Sequence, residues 1–256
     1  MRQAVVVAVV STGLAGLTLT ACSHLPLATE QPIRVIVFNM HAGKDAAGQS
    51  NLDGVASLIT NTGADLVLLQ DVDSSTLGTL GTKLQYSSAG GQYGVAALAR
   101  GFIGFNTTYP LTITPAAASG EAAPTPRVAL AIVASLRTGD FGAINTQFDP
   151  AEGRVGDQNV AQLANAIGSQ KAAGKPLAVG GSFNATPDHP GFARLKALGL
   201  RDAWTECGSG DGFTYPSDTP AKRIDYLFLA GDLHCSAAKV VETQISDHRP
   251  LLVTLK

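Results

Sequence analysis

The chain is short of several features that mark particular classes of protein. Charged residues make up 15% of its 256 residues and aromatic residues 6%. So low a charged fraction, beside 45% hydrophobic residues, excludes a coiled coil and an intrinsically disordered chain. The 18 Lys and Arg are outnumbered by 20 Asp and Glu, and no basic run occurs. Tight binding to nucleic acid through phosphate neutralisation is therefore disfavoured.

Cysteine is also scarce. The 3 cysteines exclude a disulfide-rich scaffold, and no Cys-x-x-Cys pair is present to suggest a structural zinc site. Cys22 lies at the end of an apolar N-terminal stretch, whereas Cys207 and Cys235 lie near the C-terminus. If the chain is exported, these last two are an even pair in an oxidising compartment. We expect them to form a disulfide; two separate buried thiols are the alternative.

The N-terminus has the pattern of an export signal. A positive start at Arg2 precedes an apolar, small-residue stretch over 4–19, which ends in Leu-Thr-Ala-Cys at Cys22. This order is typical of a secretory signal, and its end resembles the bacterial lipobox, in which Cys22 is lipidated. Ordinary secretion and a plain membrane anchor are the alternatives.

These features predict a division of the chain into three parts. Residues 1–21 are predicted to be a lipoprotein signal peptide, residues 22–31 a tether, and residues 32–256 one folded domain. The predicted location is the cell envelope, with the domain anchored to the outer face of the cytoplasmic membrane or otherwise exported.

Short apolar runs dominate the rest of the sequence. Strands are predicted at 33–38, 65–70, 94–98, 128–135, 142–146, 176–180, 223–229 and 251–255, and helical spacing occurs at 51–62 and 159–171. Many short strands with few long helices favour packed β-sheets with helices outside.

Polar residues cluster at the ends of the predicted strands, four groups after a strand, one at the start of the strand 223–229 and one before the last strand. They are Asn39 and His41, Gln70 and Asp71, Gln147 and Asp149, Ser182, Asn184 and Asp188, Arg223 and Asp225, and Ser246, Asp247 and His248. Any one group could be an ordinary turn, since Asn and Asp are common there. Six groups at the ends of apolar strands indicate a functional site instead, because sites lie on loops held by rigid strands.

The same residues resemble the endonuclease/exonuclease/phosphatase superfamily. The resemblance runs in order through Arg34 to His41, Asp65 to Asp71, Asn145 to Gln147, Gly181 to Pro187, Phe213 to Ser217, Arg223 to Tyr226 and Ser246 to Pro250. The last three blocks are the most specific. The resemblance implies an α/β (α+β) fold, a four-layer sandwich of two mainly antiparallel or mixed sheets flanked by helices. The site would lie at one end of the two sheets.

The resemblance also implies a chemistry and a set of roles. Family members attack a phosphate ester with water, assisted by Mg²⁺ (or Mn²⁺). Asp71 and Asp247 would be the carboxylates on the metal, which suits hard oxygen ligands. Asn39 and Asn184 would hold oxygens around the phosphate. His248, oriented by Asp225, would stabilise the phosphate or share in proton transfer.

Three positions depart from the family pattern and suggest a degenerate site. Asp71 stands where the family has Glu, and Gln147 where it has a phosphate-contacting His. Ser182 replaces the Asp that orients or deprotonates the water, and loss of a general base costs about 10²–10⁴ in rate. A nucleophilic Ser182 would need an adjacent base that the sequence does not show. Asp188 could substitute, but a turn-capping role fits it better.

Two other residues keep open roles. His41 follows the Asn turn, where exposure is favoured over metal ligation. Arg127 could face the phosphate or the surface.

Two functions therefore stand. The first is an exported, membrane-tethered, metal-dependent phosphoesterase, impaired or specialised by Ser182 and Gln147. The second is a catalytically silent member that binds a phosphorylated or glycan ligand. The expected substrate is a small phosphoester, a sugar phosphate or a lipid head group, and we expect a monomer that meets the membrane through its N-terminal lipid.

Overall fold

The computed structural model describes residues 31–45, 47–111, 126–149, 157–171 and 173–256. Its strands are β1 (Ile33–Asn39), β2 (Leu66–Gln70), β3 (Ser87–Gly90), β4 (Val95–Ala99), β5 (Phe102–Leu111), β6 (Arg127–Leu136), β7 (Gly139–Gln147), β8 (Leu177–Ser182), β9 (Arg201–Asp202), β10 (Asp225–Ala230), β11 (Cys235–Val240) and β12 (Leu251–Leu255). Its helices are α1 (Leu52–Thr62), α2 (Ser74–Leu84), α3 (Asp157–Lys171), α4 (Gly191–Ala197) and α5 (Ala203–Cys207).

The strands form two six-stranded mixed sheets. The first has the order β11-β12-β1-β2-β4-β3 and the second the order β5-β6-β7-β8-β10-β9. Among the strands of the described residues, the pairs β1–β2 and β7–β8 are parallel and the other pairs are antiparallel. Each parallel pair lies inside its sheet, and its two strands end at the same edge of that sheet.

Three buried clusters define four layers. Val37 and Leu68 of the first sheet meet Leu130 and Leu227 of the second in the core between the sheets. A second cluster packs α3 and α4 against the outer face of the second sheet, and a third packs α1 and α2 against the outer face of the first. The predicted four-layer α/β sandwich is confirmed.

The sequence patterns do not predict α2. Its segment is rich in Ser, Thr and Gly, residues that favour turns or lower helix propensity. The helix forms because the Asp73 side chain accepts a hydrogen bond from the Thr76 amide at its N-terminus, and because Leu77 and Leu80 are buried against the first sheet. Tertiary contacts therefore override a weak local signal.

The predicted disulfide between Cys207 and Cys235 is present, with the two Cα atoms 5.8 Å apart. It ties the end of α5 to the start of β11. The signal peptide at 1–21, Cys22 and all of the tether except Gln31 lie outside the described residues. Within the part of the chain that the structure describes, no helix is both long and apolar enough to cross a membrane.

Candidate active site

Strand alternation carries polar side chains of the first sheet into the space between the sheets. In β1, Val35 and Val37 face the inter-sheet core, so Asn39 faces the same way at the end of the strand. In β2, Leu68 faces this core, and Gln70 follows it on the same face. Asn39 and Gln70 are also register partners in the parallel pair β1–β2. Buried polar groups thus replace the apolar core where these strands end.

The second sheet contributes a matching polar row. Gln147 is the register partner of Ser182 in the parallel pair β7–β8, and Ser182 is the partner of Asp225 in the antiparallel pair β8–β10. Leu227, two residues after Asp225, belongs to the inter-sheet core, so the whole row faces the first sheet. All three side chains are buried.

A glycine lets the strands approach closely beside this row. A Cβ atom on Gly181 would lie 2.0 Å from the Thr146 carbonyl oxygen of the neighbouring strand. The backbone there also has a positive φ of 152°. Only glycine fits this contact, which brings Ser182 directly alongside Gln147.

A hydrogen-bonded pair of amides joins the two sheets at the floor of the site. The Gln70 Nε2 donates to the Asn145 Oδ1 at 2.6 Å. The Asn145 Nδ2 in turn donates to the carbonyl oxygens of Leu69 and Ala96, at 2.7 and 2.8 Å. Because both amides are buried, these bonds satisfy groups that water cannot reach, and they set the spacing between the sheets.

His248 forms the strongest polar contact of the site. Its Nδ1 lies 2.8 Å from the Asp225 Oδ2, and both side chains are buried. Burial alone would lower the pKa of the imidazole. The Asp225 carboxylate outweighs burial through charge and hydrogen bonding, with smaller contributions from Asp247 and Asp71, so the pKa of His248 is raised above its ordinary value. The Tyr215 ring packs against the imidazole, with the ring centroids 4.8 Å apart.

Ser246 connects the His248 segment to β1. Its hydroxyl donates to the Asn39 carbonyl oxygen at 2.8 Å, and it accepts from the His248 amide at 3.2 Å. Asp247 therefore lies beside Asn39. His41 also lies here: its Nδ1 is 3.8 Å from the Asp247 Oδ1, too far for a hydrogen bond.

Asp71 directly follows the end of β2. Backbone pairing continues past the ends of β1 and β2, because the Met40 amide donates to the Gln70 carbonyl oxygen and the Ala42 amide to that of Asp71. A Cβ on Gly94 would lie 3.5 Å from the Gln147 Oε1 and 4.0 Å from the Asp71 Cα. Gly94 thus fills the space between Asp71 and the polar row, and its φ of 77° suits glycine.

The two asparagines are held in specific orientations. The Asn39 Oδ1 accepts the His41 amide hydrogen at 3.2 Å, which leaves its NH₂ group as a donor. The Asn184 Nδ2 donates to the Phe148 carbonyl oxygen at 2.7 Å, which leaves its Oδ1 as an acceptor. One amide can therefore bind a phosphate oxygen, and the other can bind a hydroxyl, a water or a cation.

Several buried oxygens in the site have no hydrogen-bond partner among the described residues. They are the Gln70 Oε1, the Gln147 Oε1, the Ser182 Oγ and the Asp225 Oδ1. Buried polar atoms are satisfied in almost all proteins, so these four oxygens are candidates for contacts with a ligand; Asn159 and Gln162 on α3, and Ser217, also carry unpaired buried oxygens.

The donor set fits a hard cation. Asp71 and Asp247 supply carboxylates, and the Asn184 Oδ1 supplies a neutral oxygen, which are the ligand types of Mg²⁺. Within the described ranges no three His, Cys, Asp or Glu side chains form a cluster able to hold a metal. Mg²⁺ is usually held through one or two carboxylates, with several waters retained.

The structure places eight of the residues that the sequence singled out around the ends of the paired strands, and their roles remain predictions. These are Asn39, Asp71, Gln147, Ser182, Asn184, Asp225, Asp247 and His248. Asp188 does not join them: its Oδ1 accepts from the Thr186 hydroxyl at 2.5 Å on the exposed surface, and the pKa of its carboxyl is lowered by this bond. The buried Nε of Arg127 has no hydrogen-bond partner among the described residues.

Sequence reasoning missed two contacts. Tyr215 lies in a segment that matched the resemblance, but no pattern showed that its ring would pack on His248. The approach of His41 to Asp247 was not predicted either, and His41 is still 39% exposed. Both depend on loops that are far apart in the sequence.

Two mixed six-stranded sheets packed face to face with flanking helices are the α/β sandwich of the endonuclease/exonuclease/phosphatase fold. The chain belongs to the endonuclease/exonuclease/phosphatase family, whose model matches residues 36–248. Members of this family are generally hydrolases that act on phosphoesters.

Solved structures share the fold at low sequence identity. A family protein from Bacteroides vulgatus is 22% identical, with a TM-score of 0.72, over 88% of this chain and 99% of that one. A mannosyl-6-phosphatase from Bacteroides thetaiotaomicron is 19% identical, with a TM-score of 0.70, over 88% and 99%. The human Nocturnin catalytic domain with bound sulfate is 20% identical, with a TM-score of 0.69, over 88% and 94%. No curated protein matches the chain.

Proposed function

We propose that this protein hydrolyses phosphate esters with the help of Mg²⁺ or Mn²⁺. The observation that carries the proposal is the buried pair of His248 and Asp225 at 2.8 Å, with the asparagines and the unpaired oxygens around it. A site that served only to support the fold would have satisfied these groups internally.

The charges of the site support a divalent cation. Asp71, Asp225 and Asp247 contribute three carboxylates, whereas His248 is the one buried imidazole paired with a carboxylate among the described residues. A phosphate would be repelled by this excess of negative charge unless a cation bound first. Asp71 and Asp247 would hold that metal, which supplies charge neutralisation and polarises the phosphate oxygens when bound.

Side chains of the site can hold the phosphate in place by hydrogen bonding. The free NH₂ of Asn39 donates to a phosphate oxygen, and the His248 imidazole, kept in one orientation by Asp225, donates a second hydrogen bond. Gln147 lies in the same row and can offer hydrogen bonding without charge. The raised pKa of His248 favours its charged form beside an anion.

A silent ligand-binding protein is the second candidate. It is favoured by Ser182, because a neutral hydroxyl stands in the buried row where the family resemblance implies a carboxylate. Such a protein would bind a phosphorylated or glycan ligand in the same cleft without turnover.

A metal titration separates the two functions. The full-length protein is assayed with an aryl phosphodiester and an aryl phosphomonoester at increasing Mg²⁺ or Mn²⁺, beside Asp71→Asn and Ser182→Asp. Turnover that rises with metal, and metal affinity that falls in Asp71→Asn by calorimetry, support the phosphoesterase. If the native chain is inert and only Ser182→Asp turns over, the natural protein is a binding protein.

The substrate and location are part of the proposal. The formal charge of −2 and the absence of a basic run favour a small phosphoester, a sugar phosphate or a lipid head group over nucleic acid. The Leu-Thr-Ala-Cys sequence supports lipid attachment at Cys22 at the cell envelope. Cys22→Ser should leave the membrane fraction and lose the mass of the lipid; unchanged fractionation and mass would contradict the anchor.

A further inference from the structure

Three unpaired buried oxygens lie side by side on adjacent strands. The Ser182 side chain is fully buried, and its Oγ has no hydrogen-bond partner among the residues described. The same holds for the Oε1 of Gln147 and the Oδ1 of Asp225, the register partners of Ser182 on its two sides. A serine hydroxyl can both donate and accept, whereas the other two atoms only accept.

The hydroxyl of Ser182 can reach the carboxylate of Asp225. Directly opposed residues of an antiparallel pair have Cβ atoms about 4.5–5.5 Å apart and share a face of the sheet. Rotation about the Cα–Cβ bond of Ser182, or one water between the groups, completes a hydrogen bond across this distance. Asp225 is fixed for the contact, because its other oxygen is bonded to His248.

We propose that Ser182 relays the proton of the attacking water to Asp225, which is the general base of this chain. The inference rests on the proposed phosphoesterase function and assigns the missing base within it. Ser182 is the catalytic residue that touches the water, and Asp225 acts through it.

The proton transfers balance. The water oxygen forms a bond to phosphorus as the bond from phosphorus to the leaving oxygen breaks. The water proton passes to the Ser182 Oγ while the Ser182 hydroxyl proton passes to the Asp225 Oδ1. The His248 imidazolium protonates the leaving oxygen, and exchange of one proton from Asp225 and one to His248 with solvent restores the starting state.

Other carboxylates are poorly placed for this task. Asp188 is exposed and bonded to Thr186. Asp247 lies with its Oδ1 3.2 Å from the Ser246 Oγ and is assigned to the metal in the proposed function. Asp225 is the carboxylate in register with Ser182, and its Oδ1 is buried with no hydrogen-bond partner among the described residues.

Substitutions at Ser182 test the relay. Ser182→Ala should lower kcat by about 10²-fold or more, with little change in KM, because the change removes a proton-transfer group and no substrate contact. Ser182→Thr keeps a hydroxyl and should retain most of the activity. Ser169→Ala is the control, since Ser169 lies on the exposed face of α3, away from the site; it should leave kcat unchanged.

Two further measurements remove ambiguity. Ser182→Ala should unfold at the same temperature as the native protein or higher, because it deletes an unpaired buried hydroxyl. Rates in mixtures of H₂O and D₂O should give a more strongly curved proton inventory for the native enzyme, in which three protons move, than for Ser182→Asp, in which two move; equal curvature would contradict the relay.

The outcomes are distinguishable. If the native protein turns over substrate and the folded Ser182→Ala variant has the same kcat, the relay is wrong and the phosphoesterase function still holds. Turnover by Ser182→Asp alone overturns the relay and marks the natural chain as a binding protein. If neither protein turns over or binds metal, the phosphoesterase function fails and the relay fails with it.

Discussion

Removal of the disulfide should destabilise the fold by an amount that can be worked from its position. Cys207 and Cys235 are separated by 28 residues. The chain-entropy model for a loop of this length gives a loss of about 3.6 kcal/mol in the free energy of unfolding at about 25 °C. For a domain of this size, such a loss lowers Tm by about 7–14 °C.

The folded structure should persist without the disulfide, so the change in the free energy of unfolding comes from the unfolded state. Glu206 still accepts the Cys235 amide at 2.9 Å and contacts Arg201 at 3.2 Å, so α5 and β11 remain joined without the bond. The loop is therefore held in the folded protein, and the unfolded chain gains freedom when the bond is removed.

The assay is denaturant unfolding of three samples: the oxidised protein, the same protein with dithiothreitol, and the double variant Cys207→Ala, Cys235→Ala. The reduced protein and the variant should unfold at closely similar denaturant concentrations, both well below the oxidised protein. If reduction changes the free energy of unfolding by less than about 0.5 kcal/mol, the entropic reasoning is refuted.

Three further changes test the core and the site. Phe183→Ala should lower the free energy of unfolding, measured by calorimetry, by about 3–5 kcal/mol. The reason is that the Phe183 ring packs against four other aromatic rings, with centroids 5.0 to 5.7 Å from its own. Arg223→Leu should lower the free energy of unfolding by about 3–5 kcal/mol, because it leaves the nearly buried Asp202 carboxylate, which lies 2.6 Å from the Arg223 guanidinium, without its partner. The double variant Arg223→Leu, Asp202→Leu should recover part of this free energy in a denaturant melt. The raised pKa of His248 adds stability that is fully present below the unfolded-state value of about 6.5 and is lost as pH rises through the folded-state pKa. Asp225→Asn should abolish or reverse this pH dependence in melts from about pH 5 to about pH 9, because burial, which lowers the pKa of His248, then loses its main opposing charge; an unchanged profile would contradict the pairing.

Much of the fold could be predicted because its strands are locally encoded. Segments such as 33–38 and 251–255 are nearly continuous apolar runs, as expected of strands covered on both faces, and both are strands in the structure. The disulfide was also predictable, since two cysteines remained once Cys22 was assigned to the export signal. α2 was not, because its stability comes from burial of Leu77 and Leu80 against a sheet.

The identities of the site residues are likewise written in the sequence, as polar groups at the ends of apolar strands. The sequence determines that Ser182 is not a carboxylate and that Asp225 precedes an apolar run. Tertiary structure alone decides that the two are register partners facing the same space, because strand pairing joins residues 43 positions apart. It also decides that their oxygens are buried and unpaired, since burial depends on the packing of the second sheet against the first. Composition and order are local properties, whereas the surroundings of a side chain are set by the parts of the chain that fold over it.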